Sequence, residues 1–124
     1  GPTAAGHIHC CAPVGANAIV AVPFLGLPAS ASGTYMNTVD LTLASTYNSA
    51  FITASGGTVA DAEASLIAGL NTGNTYANLH TAEFPGGEIR GQIATTPEPS
   101  TFLLLGTGLV GVAETLRRRV KASL

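Results

Sequence analysis

The sequence predicts a mainly β domain of antiparallel strands with one short amphipathic helix, followed by a C-terminal transmembrane helix. Three observations carry this prediction. Tyr76 to Ile93 reads as a hairpin: Ala77, Leu79 and Thr81 alternate with Tyr76, Asn78 and His80, and after the turn Ile89, Gly91 and Ile93 alternate with Glu88, Arg90 and Gln92. Charged residues make up only 10% of the chain, and small side chains abound, which suits short strands and tight turns better than a helical bundle. An apolar run from Phe102 to Ala113 then stands before Arg117, Arg118, Arg119 and Lys121.

In chain order, Gly6 to Cys11 (Gly-His-Ile-His-Cys-Cys) forms a short strand with His7, His9 and Cys11 on one face and Ile8 and Cys10 on the other. Pro13 and Gly15 place a loop over Ala12 to Asn17. Ala18 to Leu25 is a second strand carrying Val20, Val22 and Phe24 on one face, and Pro23 assigns it to an edge or a strand end. Pro28 to Gly33 is a turn region. Gly33 to Leu43 alternates most cleanly, with Tyr35, Val39, Leu41 and Leu43 opposite Thr34, Thr38, Asp40 and Thr42. This pattern predicts a half-buried strand on which Asn37 needs a hydrogen-bond partner. Ser45 to Ala54 suits a single helical turn capped by Asn48, carrying Phe51 and closed by Gly56-Gly57.

Thr58 opens the one convincing soluble helix. It caps the amide of Asp61, whose carboxylate favours the helix N-terminus. Val59, Ala62, Leu66, Ile67 and Leu70 recur at helical spacing until Asn71 to Gly73 ends the element. The hairpin follows, with Pro85, Gly86 and Gly87 as its turn. Ser100 to Leu116 is seventeen residues, roughly 25 Å of helix and near the lower limit for a membrane span. The basic residues beyond it favour the cytoplasmic side and leave the domain outside. Glu114 interrupts the apolar stretch near that end.

The tail closely resembles the PEP-CTERM sorting signal of Gram-negative bacteria: Pro97-Glu98-Pro99, an apolar helix and the cluster Arg117, Arg118, Arg119 stand in the required order. The resemblance implies cleavage near Pro97 by an exosortase, transient anchoring in the inner membrane through the helix, and delivery to the cell surface or beyond, often alongside exopolysaccharide. The chain opens on Gly1 without an initiator methionine. We therefore expect an upstream segment holding a signal peptide and at least one strand. Gly-His-Ile-His near the start, the alternating strand, the helix, and Tyr-Ala-Asn-Leu-His-Thr followed by Pro-Gly-Gly-Glu-Ile-Arg-Gly-Gln together resemble the CHRD domain of chordin and of secreted microbial proteins. That resemblance implies an immunoglobulin-like β-sandwich or barrel and no defined catalytic activity. The expected division is a CHRD-like domain over 1–95 and a sorting tail over 96–124.

Charge narrows the function classes. Residues 1–96 hold five acids and one base, a net of −4, and residues 97–124 hold two acids and four bases, a net of +2. A domain with a single arginine and no lysine lacks the basic footprint that nucleic-acid binding requires. No serine stands in a nucleophile elbow and no glycine loop has phosphate-cradle spacing. Glu83 and Glu88 flank a turn, which is no cleft for a pair of catalytic carboxylates.

What remains is histidine. His7 and His9 sit at i and i+2 on one strand face, and His80 joins them if the hairpin packs beside that strand. Such a set suits zinc or copper on a β scaffold, with superoxide dismutase-like redox chemistry as one use. Cys11 shares the face and is placed to add a thiolate, and Glu83 is a weaker further ligand. Against this stands the plain alternative that the histidines only hydrogen-bond between strands. Adjacent cysteines lie about 3.8 Å apart at Cα across a trans peptide, below the usual disulfide range. Cys10 and Cys11 therefore have three options: a vicinal bridge, a bond to an upstream cysteine, or one thiolate on a metal, the first two ranked ahead. Glu88 and Arg90 read as a surface pair of small energetic value. The expected function is an exported, surface-sorted, non-enzymatic binding or structural module. Its expected partners are exosortase and then exopolysaccharide or an extracellular protein, with a copper- or zinc-binding metalloprotein as the second reading. Absence of tryptophan counts against sugar binding, although Tyr35, Tyr47 and Tyr76 offer stacking surfaces.

Overall fold

Four strands and two helices frame the domain in the computed structural model, which describes residues 1–93, 107–114, 117 and 118. The order along the chain is β1 (Thr3–Cys10), β2 (Ile19–Pro23), a 3-10 turn (Ala44–Thr46), α1 (Ser49–Ser55), α2 (Val59–Asn71), β3 (Thr75–Thr81) and β4 (Ile89–Ile93). The strands make one antiparallel sheet in the order β2-β1-β3-β4.

The hairpin alternation holds: Tyr76 faces Gln92, Asn78 faces Arg90 and Leu79 faces Ile89 across β3 and β4. At its turn Gly87 has φ +117° and a Cβ there would run into the Asn78 amide, so the position needs glycine twice over. β1 pairs with β3 from Thr3 to Cys10, which sets His9 opposite Tyr76 and His7 opposite Asn78. β2 lies at the sheet edge and ends at Pro23, as its proline requires. A bulge between Ile8 and His9 skips Ala21, so Ala21 and Val22 are both buried and the expected alternation of Val20, Val22 and Phe24 does not persist.

The sandwich or barrel expectation is corrected to a single sheet covered on one face by helices, among the described residues. Gly33 to Leu43 forms no strand. Asp40 explains part of this, since its carboxylate accepts from the amide and the hydroxyl of Thr42 and bends the chain locally. Val39 and Leu43 remain exposed, Asn37 is exposed and needs no buried partner, and only Leu41 reaches the core. Residues 1–93 hold two helices where one helix and a single helical turn were expected. Asn48 caps α1 by accepting from the Ala50 amide, and the helix runs seven residues rather than one turn. Thr58 caps α2 by accepting from the Asp61 amide, as its spacing predicts.

The core lies between α1, α2 and the sheet, and contains Cys10, Ala21, Val22, Tyr47, Phe51, Ala62 and Leu66. Ile67, expected on the packing stripe of α2, is exposed, and Gly69 is buried in its place. Cys10 and Cys11 are joined as a vicinal disulfide across a cis peptide, which closes the three options. The Cys11 sulfur faces the Ser65 carbonyl of α2. A Cβ on Gly69 would strike the Cys10 sulfur and lie 2.8 Å from that of Cys11, so the glycine lets the helix seat against the bridge.

No helix among the described residues is long and apolar enough to cross a membrane. The span expected from Ser100 to Leu116 lies largely outside the described residues; 107–114 are helical and exposed. Glu114 pairs with Arg118 at 3.4 Å and Arg117 at 4.0 Å, which offsets the acid it places in the apolar stretch.

Gly69→Ala tests the seat of α2 on the disulfide. Alanine gains about 1 kcal/mol of helix propensity, but overpacking against sulfurs fixed in the core costs about 1–3 kcal/mol. The expected result is a lower denaturation midpoint in urea, and a raised midpoint would refute the close contact.

Candidate functional site

β1 uses its two faces differently. Ile8 and Cys10 point toward the helices, while His7 and His9 project from the opposite face together with Tyr76, Asn78 and His80 of β3. The β1–β3 register thus brings together residues 73 apart in sequence: Nδ1 of His7 and Nε2 of His80 are 3.2 Å apart. One nitrogen from each of His7, His9 and His80 lies within 4.8 Å of the others.

Backbone carbonyls fix two of the three tautomers. Nδ1–H of His9 donates to the Ala18 carbonyl at 2.8 Å, and Nδ1–H of His80 donates to the Pro85 carbonyl at 2.8 Å. In the neutral rings both Nε2 atoms then carry lone pairs. His80 Nε2 accepts from His7 Nδ1–H. His9 Nε2 is buried with no hydrogen-bond partner among the described residues. A buried lone pair left without a donor costs about 1–3 kcal/mol, so the arrangement favours an electron-pair acceptor at that point. A metal with bonds of about 2.0–2.1 Å to nitrogen sets two tetrahedral ligands about 3.3 Å apart; the His7–His80 pair reaches that spacing only with the His7 Nδ1 proton displaced, and the three nitrogens together spread to 4.8 Å, so a bound ion would draw the rings closer.

The imidazoles are backed by a second layer. His9 stacks on Tyr76 with ring centroids 4.7 Å apart and planes 3° from parallel, and the Arg90 guanidinium lies 3.4 Å over the Tyr76 ring. The Tyr76 hydroxyl accepts from the Ala18 amide at 3.1 Å. His7 lies edge-on to both other imidazoles. Burial, and after it the neighbouring His80 and His9, lower the pKa of His7 and favour its neutral, ligating form.

His7, His9 and His80 therefore converge, and Cys11 does not. Its sulfur is consumed in the disulfide and turned to α2, on the other side of β1, which removes the thiolate considered above. Glu83 is exposed and outside the cluster. Arg90 does not pair with Glu88: it donates to the Ala16 carbonyl and the Asn17 side chain. The Thr81 hydroxyl beside Glu88 holds that carboxyl below its usual range. Tyr47 and Tyr76 are buried and unavailable for stacking on sugars. Alternation placed Tyr76 and His80 on one face, but nothing in the sequence marks the Ala18 and Pro85 carbonyls as the groups that orient the rings.

The family model of the CHRD domain matches residues 1–93. The chain belongs to the CHRD family. The model of the PEP-CTERM protein-sorting motif matches residues 95–119, immediately after the CHRD domain. It is accordingly an exported protein of a Gram-negative bacterium, sorted by exosortase with transient anchoring in the membrane. Within that motif Arg117 and Arg118 are helical, while Pro97, Glu98, Pro99 and Arg119 lie outside the described residues. No curated protein and no solved structure matches the chain.

The pKa of His7 sets a pH dependence for the metal-free domain. Its unfolded imidazole takes up a proton near pH 6.5 and the folded one only at lower pH. Stability is therefore full above about 6.5 and declines as pH falls from there through the folded value. The urea midpoint is expected to fall between about pH 7.5 and 5.5, and less so in His7→Asn; equal slopes in the two proteins would contradict this.

Proposed function

We propose that this CHRD protein is displayed at the cell surface or in the extracellular matrix as a non-catalytic binding or structural module. Exopolysaccharide or an extracellular protein would be its ligand. The observation that carries the reading is the sorting motif directly behind a small domain, the layout of a module delivered outside the cell and released from its anchor. On this reading 1–95 is the delivered domain and 96–124 is the removable tail. Cells lacking exosortase should retain the tail, adding close to 3 kDa if cleavage falls near Pro97. An identical mature mass with and without exosortase would count against it.

A second reading is favoured by the orphaned Nε2 of His9: the site takes one zinc or copper ion on His7, His9 and His80. The two carbonyl-fixed tautomers support it, because metal-bound histidines usually donate their other N–H to a carbonyl or carboxylate. Redox use of a bound copper ion would further require a small external oxidant or reductant to reach it past the half-buried His7 and His80. Protein purified without an affinity tag should bind about one ion per chain, and His9→Ala or His80→Ala should weaken binding by about 100-fold or more. Sub-stoichiometric metal, with His7→Ala leaving stability and spectrum unchanged, would sink this reading.

A further inference from the structure

Arg90 stands outside the three-histidine cluster, yet its guanidinium contacts lead toward His9. Its guanidinium donates to the Ala16 carbonyl at 2.7 Å and to the Asn17 side-chain oxygen at 3.3 Å. The same group covers the Tyr76 ring, whose other face is stacked on His9. The next loop residue, Ala18, donates its amide to the Tyr76 hydroxyl and accepts from Nδ1 of His9. Ala16 to Ala18 belong to the exposed loop between β1 and β2, and Ala16 and Asn17 are themselves exposed. A loop of that kind holds a carbonyl in place only where something ties it down.

We propose that Arg90 is a positioning residue for the metal site, acting through the 16–18 loop and the Tyr76 ring to hold His9 with its Nε2 lone pair aimed at His7 and His80. This rests on the metal-binding reading above. The chemistry suits arginine specifically. Its planar fork donates to two acceptors while its flat face lies on an aromatic ring; lysine offers a point charge with neither property. The stack of guanidinium, phenol and imidazole fixes the ring plane of His9, and the Ala18 carbonyl fixes which nitrogen bears the proton. Arg90 touches the ring directly and the carbonyl's loop through the two residues before Ala18.

The test uses the full chain and Arg90→Met, which keeps an unbranched stem over Tyr76 and removes the fork, with Arg90→Lys as the conservative variant. Titration with zinc or copper ions should show affinity reduced about 10- to 100-fold in Arg90→Met, and Arg90→Lys should not restore it. In the metal-free proteins, nitrogen NMR of the imidazoles should report a single Nδ1–H tautomer for His9 in the parent and a mixture in Arg90→Met. A small loss of global stability alone would produce neither change. Wild-type binding that Arg90→Met leaves intact would overturn the positioning role and leave the metal site standing. No binding by the parent protein would overturn the metal reading and this proposal with it. An unmixed His9 tautomer in Arg90→Met would also count against the positioning role.

Discussion

The antiparallel pairing of β1 with β3 is the constraint on which the rest of the domain depends. It runs from Thr3 opposite Thr81 to Cys10 opposite Thr75 and makes these two strands the centre of the sheet. Through it the early His-x-His segment meets the late hairpin, and Cys10 is set down where α2 can cover it. Strand pairing of this kind is paid for by loop closure over some seventy residues, which the connecting helices shorten in effect by packing onto the same sheet.

Elements whose signals are local were legible in the sequence. Asn48 and Thr58 mark the starts of α1 and α2 because capping is a contact between residues two or three apart. The hairpin was legible because its two strands and its turn lie within eighteen residues. What misled was alternation without a partner. Tyr35 to Leu43 has the period of a strand, but a period only states which residues would share a face. Neither edge of the sheet takes it up, and local hydrogen bonds of Asp40 claim the backbone instead.

The candidate site was half legible for the same reason. The spacing of His7 and His9 puts two imidazoles side by side, and the alternation of β3 gives His80 its face, but their meeting depends on a register that no local pattern encodes. Arg90 shows the limit most clearly. Two residues from Glu88 on one strand, it reads as half of an ion pair, whereas the folded chain offers it a ring and a carbonyl from a loop 74 positions earlier. Cys11 failed as a ligand because its neighbour competes for the sulfur, and the bridge turns both sulfurs toward α2.

β1 divides its labour by parity: one set of positions builds the core under the helices and the other builds the histidine face. Such a strand tolerates no change of count. A single residue inserted before His7 and absorbed within the strand would exchange the two sets, sending imidazoles into the apolar layer under α2 and turning Ile8 and Cys10 out to solvent. Selection for a stable interior therefore also preserves the arrangement of the histidines, so that the chemistry on their face is maintained by the same register that keeps the domain folded.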